Sequence, residues 1–493
     1  MKKWRNPWGL SVVIGLIVIL LGVSFTWLHF NTTRQLPLLS SQKVTYLPKV
    51  HITGAISQTK DKPQVVKFSF KNKQTGKTET GYAKMKWQGQ SSRRYAQKNW
   101  NMKFYKDKDL KHKLKWRADP SWQKHSKYVL KANYIDATQS RNLVNANLWG
   151  QMVGSRKDAP KQLGKAQNGG AVNGFPIKLK VNGKSWGMYT LNTVKEPKLW
   201  GMDKHNPKTV AIGSNHWSRP DMFQSTDVTY GPYGWTPDVP KTLTAAQKQD
   251  FERFDKFVVN SSNKAFKAHA AEHLDVNSVI DMYLFANLVH DQDGLGRNLE
   301  LITYDGQHWS ATMYDLDSTW GLYENGYKLY PSGKYVSTNY PNRGDLATAE
   351  GNKLLQQVVQ AYPDRVEARW HQLRKTTLTP EKVDAQFTQY MNGIGEQNYQ
   401  ENIQLNTAIP SRKVTSLMQI RSSVKRQFKD CDALFNDYTT NVHKLKFNYV
   451  APSPTKAELA SMRSESKASS ASRASARQQA NKQSSSTSVS AGH

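Results

Sequence analysis

The stretch VHDQDGLGRNLELITYDGQHWSATMYDLDSTWGLY, residues 289–323, decides how the chain is read. Asp293 is followed five residues later by Asn298. A strand is predicted over Leu299–Tyr304, a turn at Asp305-Gly306, and a second strand over Trp309–Tyr314. Two β-rich runs joined by a short Gly turn form a hairpin. A hairpin returns Asp315 and Asp317 to the neighbourhood of Asn298, with Gly321 closing the segment. One carboxylate suited to act as a base and several hard oxygen ligands then face one small space.

Mg²⁺ takes oxygen ligands, commonly one or two carboxylates, and leaves the remaining positions to phosphates and water. Phosphoryl transfer adds a carboxylate that orients the attacking hydroxyl, with a metal-holding Asn five residues on in protein kinases. Asp293-x-x-x-x-Asn298 has that spacing, and Asp315 takes the place of the metal-holding Asp. The plain alternative is a Gly/Asp turn with solvated carboxylates, since Asp and Asn favour turns anyway. The DLD element after the hairpin argues against it.

Before the Asp293 loop, Val276–His290 is strongly apolar and is expected to be a buried helix leading into it. Helices are also expected over Gly351–Leu373, Pro380–Tyr390 and Ser411–Tyr438. Residues 205–240 read as irregular and aromatic-rich, a candidate lid or substrate loop. Before them, Phe175–Val181, the turn Asn182-Gly183 and Trp186–Leu191 form a second hairpin. Asp136–Met152 reads as a helix with Arg141 near its start, and Lys127–Lys131 as a strand. Further strands are expected over Val65–Phe70, Tyr82–Trp87 and Trp100–Phe104. The turn Gln88-Gly89-Gln90-Ser91-Ser92 between the last two offers backbone N–H groups to phosphates. Lys98 and Lys103 lie just beyond it.

At the N-terminus Lys2, Lys3 and Arg5 precede an apolar, uncharged run from about Trp8 to Phe30. Roughly 20 apolar residues span a bilayer as a helix. Basic residues before the run place residues 1–7 in the cytoplasm and the main domain outside. The rival reading is a cleaved signal peptide, but the run is long for one and no clean cleavage site follows. Residues 31–48 read as a spacer and 49–452 as the main domain. Residues 453–493 collapse into Ser, Ala, Lys, Arg and Gln, a composition too polar to fold. The chain of 493 residues has a net charge of +32 and one cysteine, Cys431. That excludes an intramolecular disulfide and Cys-cluster metal sites. The charge attracts anionic wall polymer or lipid headgroups. Nucleic acid is disfavoured, because the anchor places the charge outside the cytoplasm.

Four blocks carry a family resemblance: WQGQSSRRYAQKNWNMKF at 87–104, YVLKANYIDATQSRNLVNANLWGQM at 128–152, FPIKLKVNGKSWGMYTL at 175–191, and VHDQDGLGRNLELIT with MYDLDSTWG at 289–321. In order and spacing, over roughly residues 80–380, they resemble the CotH family of spore-coat-type atypical protein kinases. The resemblance implies an α+β, kinase-like two-lobed domain, here after a single transmembrane helix and before a disordered tail. It implies ATP with Mg²⁺ or Mn²⁺ and transfer to Ser or Thr of a secreted or surface protein. Asp293 becomes the catalytic Asp, and Asn298, Asp315 and Asp317 the metal ligands. Lys98 or Lys103, Ser91, Ser92 and Arg141 become nucleotide contacts. One departure stands out: family members carry Glu after the G-x-Y strand, where this chain has Val194, so Glu196 is expected to substitute. A catalytically weak, polymer-binding protein on the same fold is the alternative. The Ser-rich tail is a candidate substrate in cis.

Overall fold

A computed structural model describes residues 47–72, 75–215, 222–231, 234–330 and 345–447. The expected membrane anchor at 8–30 and the tail at 453–493 lie outside the described residues. Among the described residues no helix is long and apolar enough to cross a membrane.

Strands dominate the first part of the chain because its apolar residues alternate. In β2, Gln64–Lys71, positions 66, 68 and 70 are buried and their neighbours face outward. With β1 (Lys49–Thr53), β3 (Thr78–Gln88), β4 (Asn99–Tyr105), β5 (Lys127–Lys131), β6 (Gly174–Val181) and β7 (Lys184–Asn192), it closes a barrel in the order β1-β2-β3-β4-β5-β7-β6. The closing pair, β1 with β6, is parallel. Closure removes open sheet edges, and the interior is filled by Phe68, Phe104, Trp116 and Tyr128 in mutual ring contact. At the β6–β7 turn Asn182 and Gly183 have φ of 48° and 78°, as a type I′ turn requires.

A second core lies between helices and a four-stranded antiparallel sheet. Its strands are β8 (Val210–Ser214), β9 (Trp235–Val239), β10 (Leu299–Thr303) and β11 (Trp309–Met313), in the order β11-β10-β8-β9. β8 and β9 fall within the region read from sequence as irregular. Each has five residues, and β9 contains Pro237, so neither shows a periodic run. The expected buried helix is present as Val276–Val289, capped by the Asp275 side chain, which accepts from the Ser278 amide. The helix expected over 351–373 is two, Lys353–Ala361 and Pro363–Thr376, broken where Pro363 starts the second. The helix expected from Asp136 starts at Arg141 instead. Both Asp136 carboxylate oxygens accept backbone N–H groups, from Thr138, Ser140 and Arg141, and this holds residues 136–140 in a turn.

The α+β class is therefore present, with two hydrophobic cores, but the strand-rich body is a closed seven-stranded barrel.

Candidate active site

The hairpin forms in the predicted register, with Leu299 opposite Met313 and Thr303 opposite Trp309. It delivers Asp315 beside Asn298, whose Nδ2 donates to the Asp315 carbonyl at 3.4 Å. The Asp293 carbonyl accepts from the Gly296 and Asn298 amides at 3.1 and 3.0 Å, folding the D-x-x-x-x-N loop back on itself. Asp315 has φ of 63°, a left-handed conformation that a non-glycine residue adopts at a cost of about 1–2 kcal/mol. Such strain is retained where surrounding contacts over-determine it.

Those contacts come from the barrel and from the helix Arg141–Gly154. Lys131, the last residue of β5, donates to Asp315 Oδ1, and its Nζ lies 3.6 Å from Asp317 Oδ2. The Lys131 side chain is 5% exposed, whereas those of Asp315 and Asp317 are 38% and 21% exposed. From the helix, Asn142 Oδ1 accepts from the Leu316 amide, and Asn145 Nδ2 donates to the Leu316 carbonyl and to Thr319 Oγ1. Arg141 Nε donates to the Thr319 carbonyl at 2.9 Å. The segment DLDST is thus pinned on both sides.

Charge is concentrated here. Burial alone would lower the Lys131 pKa, but Asp315 and Asp317 outweigh it and hold the ammonium strongly charged. Burial would raise Asp315, and Lys131 overcomes this and keeps it ionised. Asp317 is pushed up to about 7, first by burial and then by Asp315, with Asp136 and Asp293 adding to it. The contribution of Asp293 brings the expected catalytic carboxylate into the same electrostatic cluster.

The other expected contacts are placed as follows. Gln90 Oε1, in the Gly-Ser turn, accepts from Arg297 Nη2 at 3.2 Å, so that turn lies against the Asp293 loop. Gly89 has φ of 94°, and a Cβ there would meet Ser92 Oγ at 2.0 Å. Ser92 Oγ donates to the Gln88 carbonyl, while Ser91 is exposed. Lys98 donates to the Arg93 and Tyr95 carbonyls and braces this turn from below. Lys103 faces outward from the barrel. Neither lysine occupies the position beside the carboxylates; Lys131 does. Sequence reasoning missed it, although a lysine closing a strand in which Tyr128, Val129 and Leu130 are buried requires a carboxylate partner. Glu196 pairs with His125 Nδ1 at 2.6 Å, away from Lys131. The neighbouring Lys195 instead meets Glu300 at 2.7 Å and Asp238 at 2.9 Å, with Nζ 4.4 Å from the centroid of the Tyr314 ring. Arg141 is fully buried against Asp136 and acts on the loop backbone.

Among the described residues no three His, Cys, Asp or Glu side chains converge on one point. The donor set still suits a hard cation, which needs only one or two carboxylates when phosphates complete its shell. Two partly exposed carboxylates with an amide alongside provide that, and the Asp317 pKa, raised first by burial and then by Asp315, places its titration near neutral pH. Only the ionised carboxylate ligates. Mn²⁺ affinity is therefore expected to fall about tenfold per unit as pH drops below 7 and to level off above it. Asp317→Asn flattens that profile between pH 6 and 8 in calorimetric titrations; a profile unchanged by the substitution removes Asp317 from the site.

A family model described as CotH kinase protein matches residues 85–427. No curated protein matches the chain. The match takes in all four sequence blocks and continues through the helices after residue 380, so most of the chain, including the Lys131–Asp315 centre, belongs to the CotH kinase family.

Proposed function

We propose that the protein is a membrane-anchored protein kinase that transfers the γ-phosphoryl group of ATP to Ser or Thr of secreted or cell-surface proteins. The observation that carries this reading is the convergence of Lys131, from the barrel, with Asp315, Asp317 and Asn298, from the hairpin segment, next to the Asp293 loop folded onto the Asn298 amide. Mg²⁺ or Mn²⁺ held by Asp315, Asp317 and Asn298 supplies neutralisation of phosphate charge. Asp293 orients the substrate hydroxyl and accepts its proton. Lys131, already poised against Asp315, offers a fixed ammonium to phosphate oxygens. The Gly89–Ser92 turn covers the site from the barrel side. Lys2, Lys3 and Arg5 before the apolar run support the outward orientation.

The tail provides a candidate substrate. Residues 461–490 set many Ser among Lys, Arg and Gln. A tether supplies such hydroxyls at an effective concentration on the order of mM. Each phosphate adds about −1.5 to −2 charges, so a few reverse the tail's sign. The test is the full chain in detergent with labelled ATP and Mg²⁺ or Mn²⁺, with and without a Ser-rich basic peptide. Label in the peptide and phosphoserine between Ser461 and Ser490 are expected, both absent in Asp293→Asn. Label in the peptide with an unmodified tail removes the cis substrate and leaves the kinase. No metal-dependent label anywhere overturns the reading.

A further inference from the structure

The outer face of the barrel carries a row of lysines set by strand register. β3 places Lys84 directly opposite Lys103, and β4 places Lys103 directly opposite Lys127 on β5. Ala83, Met85, Met102 and Tyr128 are buried in the barrel, so the alternation of a strand turns the three lysines outward. Lys84 and Lys103 are exposed and Lys127 half-buried. Directly opposed side chains have Cβ atoms about 4.5–5.5 Å apart, and like charges there destabilise a sheet. Partial desolvation of its stem along the strand surface, and then the charges of Lys127, Lys84, Lys113 and Lys241, lower the Lys103 pKa. Among the described residues none of Lys84, Lys103 and Lys127 has an ion-pair partner. The surrounding segment 84–127 holds fourteen Lys and Arg against three Asp. An ordinary solvated face intersperses both signs; this one keeps a repulsive row that an anion stabilises.

The row selects among anions. Three ammonium groups in line across neighbouring strands match consecutive charges along one extended chain better than a single compact anion. They are point charges without the bidentate fork of arginine. The row contains no aromatic ring, whereas single-stranded nucleic acids are held by base stacking as well as charge. In the adjacent row, where Tyr82 lies opposite Tyr105, the Tyr82 ring is covered by Lys67 Nζ at 6.0 Å. We propose that Lys84, Lys103 and Lys127 form a docking surface for a polyol-phosphate polymer, the chemistry of anionic cell-wall chains, outside the carboxylate site. It does not depend on phosphoryl transfer.

The experiment titrates fluorescent, delipidated poly(glycerol phosphate) with the full-length protein in detergent across a salt series. Replacing Lys84, Lys103 and Lys127 together by Gln is expected to weaken binding at least tenfold near 0.15 M salt and to flatten the log–log salt slope by about 2. A control replacing the exposed Lys375, Lys425 and Lys429 by Gln removes the same charge from helices and is expected to change binding less than about threefold. The row variant should melt no lower than the parent, because repulsion has been removed; Lys103→Gln alone gives a smaller loss in the same direction. Equal weakening by both triple variants, or unchanged binding in the row variant, overturns the proposal. So does oligothymidine of equal phosphate count binding through the row as tightly as the polymer, which assigns the surface to nucleic acid.

Discussion

Asp293→Asn is expected to keep metal–nucleotide affinity within about twofold of the parent and to cut phosphoryl transfer by roughly 10²–10⁴-fold. The substitution preserves shape and removes the carboxylate proposed to accept the hydroxyl proton. The backbone bonds of the loop use the Asp293 carbonyl, which accepts from the Gly296 and Asn298 amides and is unchanged by the substitution. Asp315→Ala is expected to fail differently, at the binding step. It deletes a proposed metal ligand and leaves Lys131, buried on β5, without its nearest carboxylate. The melting temperature of the metal-free protein should therefore fall too. Adding Lys131→Met to Asp315→Ala separates the two effects: it recovers part of the stability, since the buried ammonium, left with only Asp317 at 3.6 Å, is removed, and does not recover metal binding. Calorimetry with Mn²⁺ and single-turnover assays read these outcomes. Transfer at the parent rate in both Asp293→Asn and Asp315→Ala would falsify the kinase reading.

The parts of this site legible in the sequence are those joined by local rules. Asp293, Asn298 and Asp315 lie within one hairpin, and the Asp305-Gly306 turn with its alternating flanks fixes the register that brings the last two together. Lys131 was not legible because its partner is distant in sequence and meets it only through closure of the barrel against the second core. With 70 Lys and Arg in the chain, proximity to the Gly-Ser turn singled out Lys98 and Lys103 on weak grounds. The structure gives Lys98 to backbone carbonyls and Lys103 to the outer face. Glu196, expected to substitute for the family's Glu, is engaged elsewhere for a similar reason. Its position after β7 was right for the chain order, but alternation along the extended segment turns it to His125, while Lys195 turns to Glu300. β8 and β9 escaped notice because their burial comes from neighbours in the sheet and not from their own pattern.

Arg141 provides the sharpest contrast between a nucleotide contact and a positioning residue. Its guanidinium is fully buried and donates to Asp136 Oδ1 at 2.6 Å, the Thr319 carbonyl at 2.9 Å, Thr415 Oγ1 at 2.8 Å and Gln419 Oε1 at 2.7 Å. These bonds tie the helix Arg141–Gly154 to the DLDST loop and to the helix Leu417–Phe435. Asp136 is 1% exposed, so removing the guanidinium leaves a buried carboxylate without its counter-charge, held by the Thr138, Ser140 and Arg141 amides and the Thr138 hydroxyl. Arg141→Met is expected to destabilise the protein by roughly 3–5 kcal/mol. Arg141→Lys recovers little of this, because a single ammonium cannot reach acceptors spread around a planar fork. Asp136→Asn combined with Arg141→Met should cost less than the sum of the single substitutions, as expected for a directly coupled pair. Below the melting transition the surviving activity of Arg141→Met should show a reduced kcat, from the loosened loop, with the KM for ATP little changed. A melting temperature equal to the parent's together with a raised KM for ATP would return Arg141 to the nucleotide.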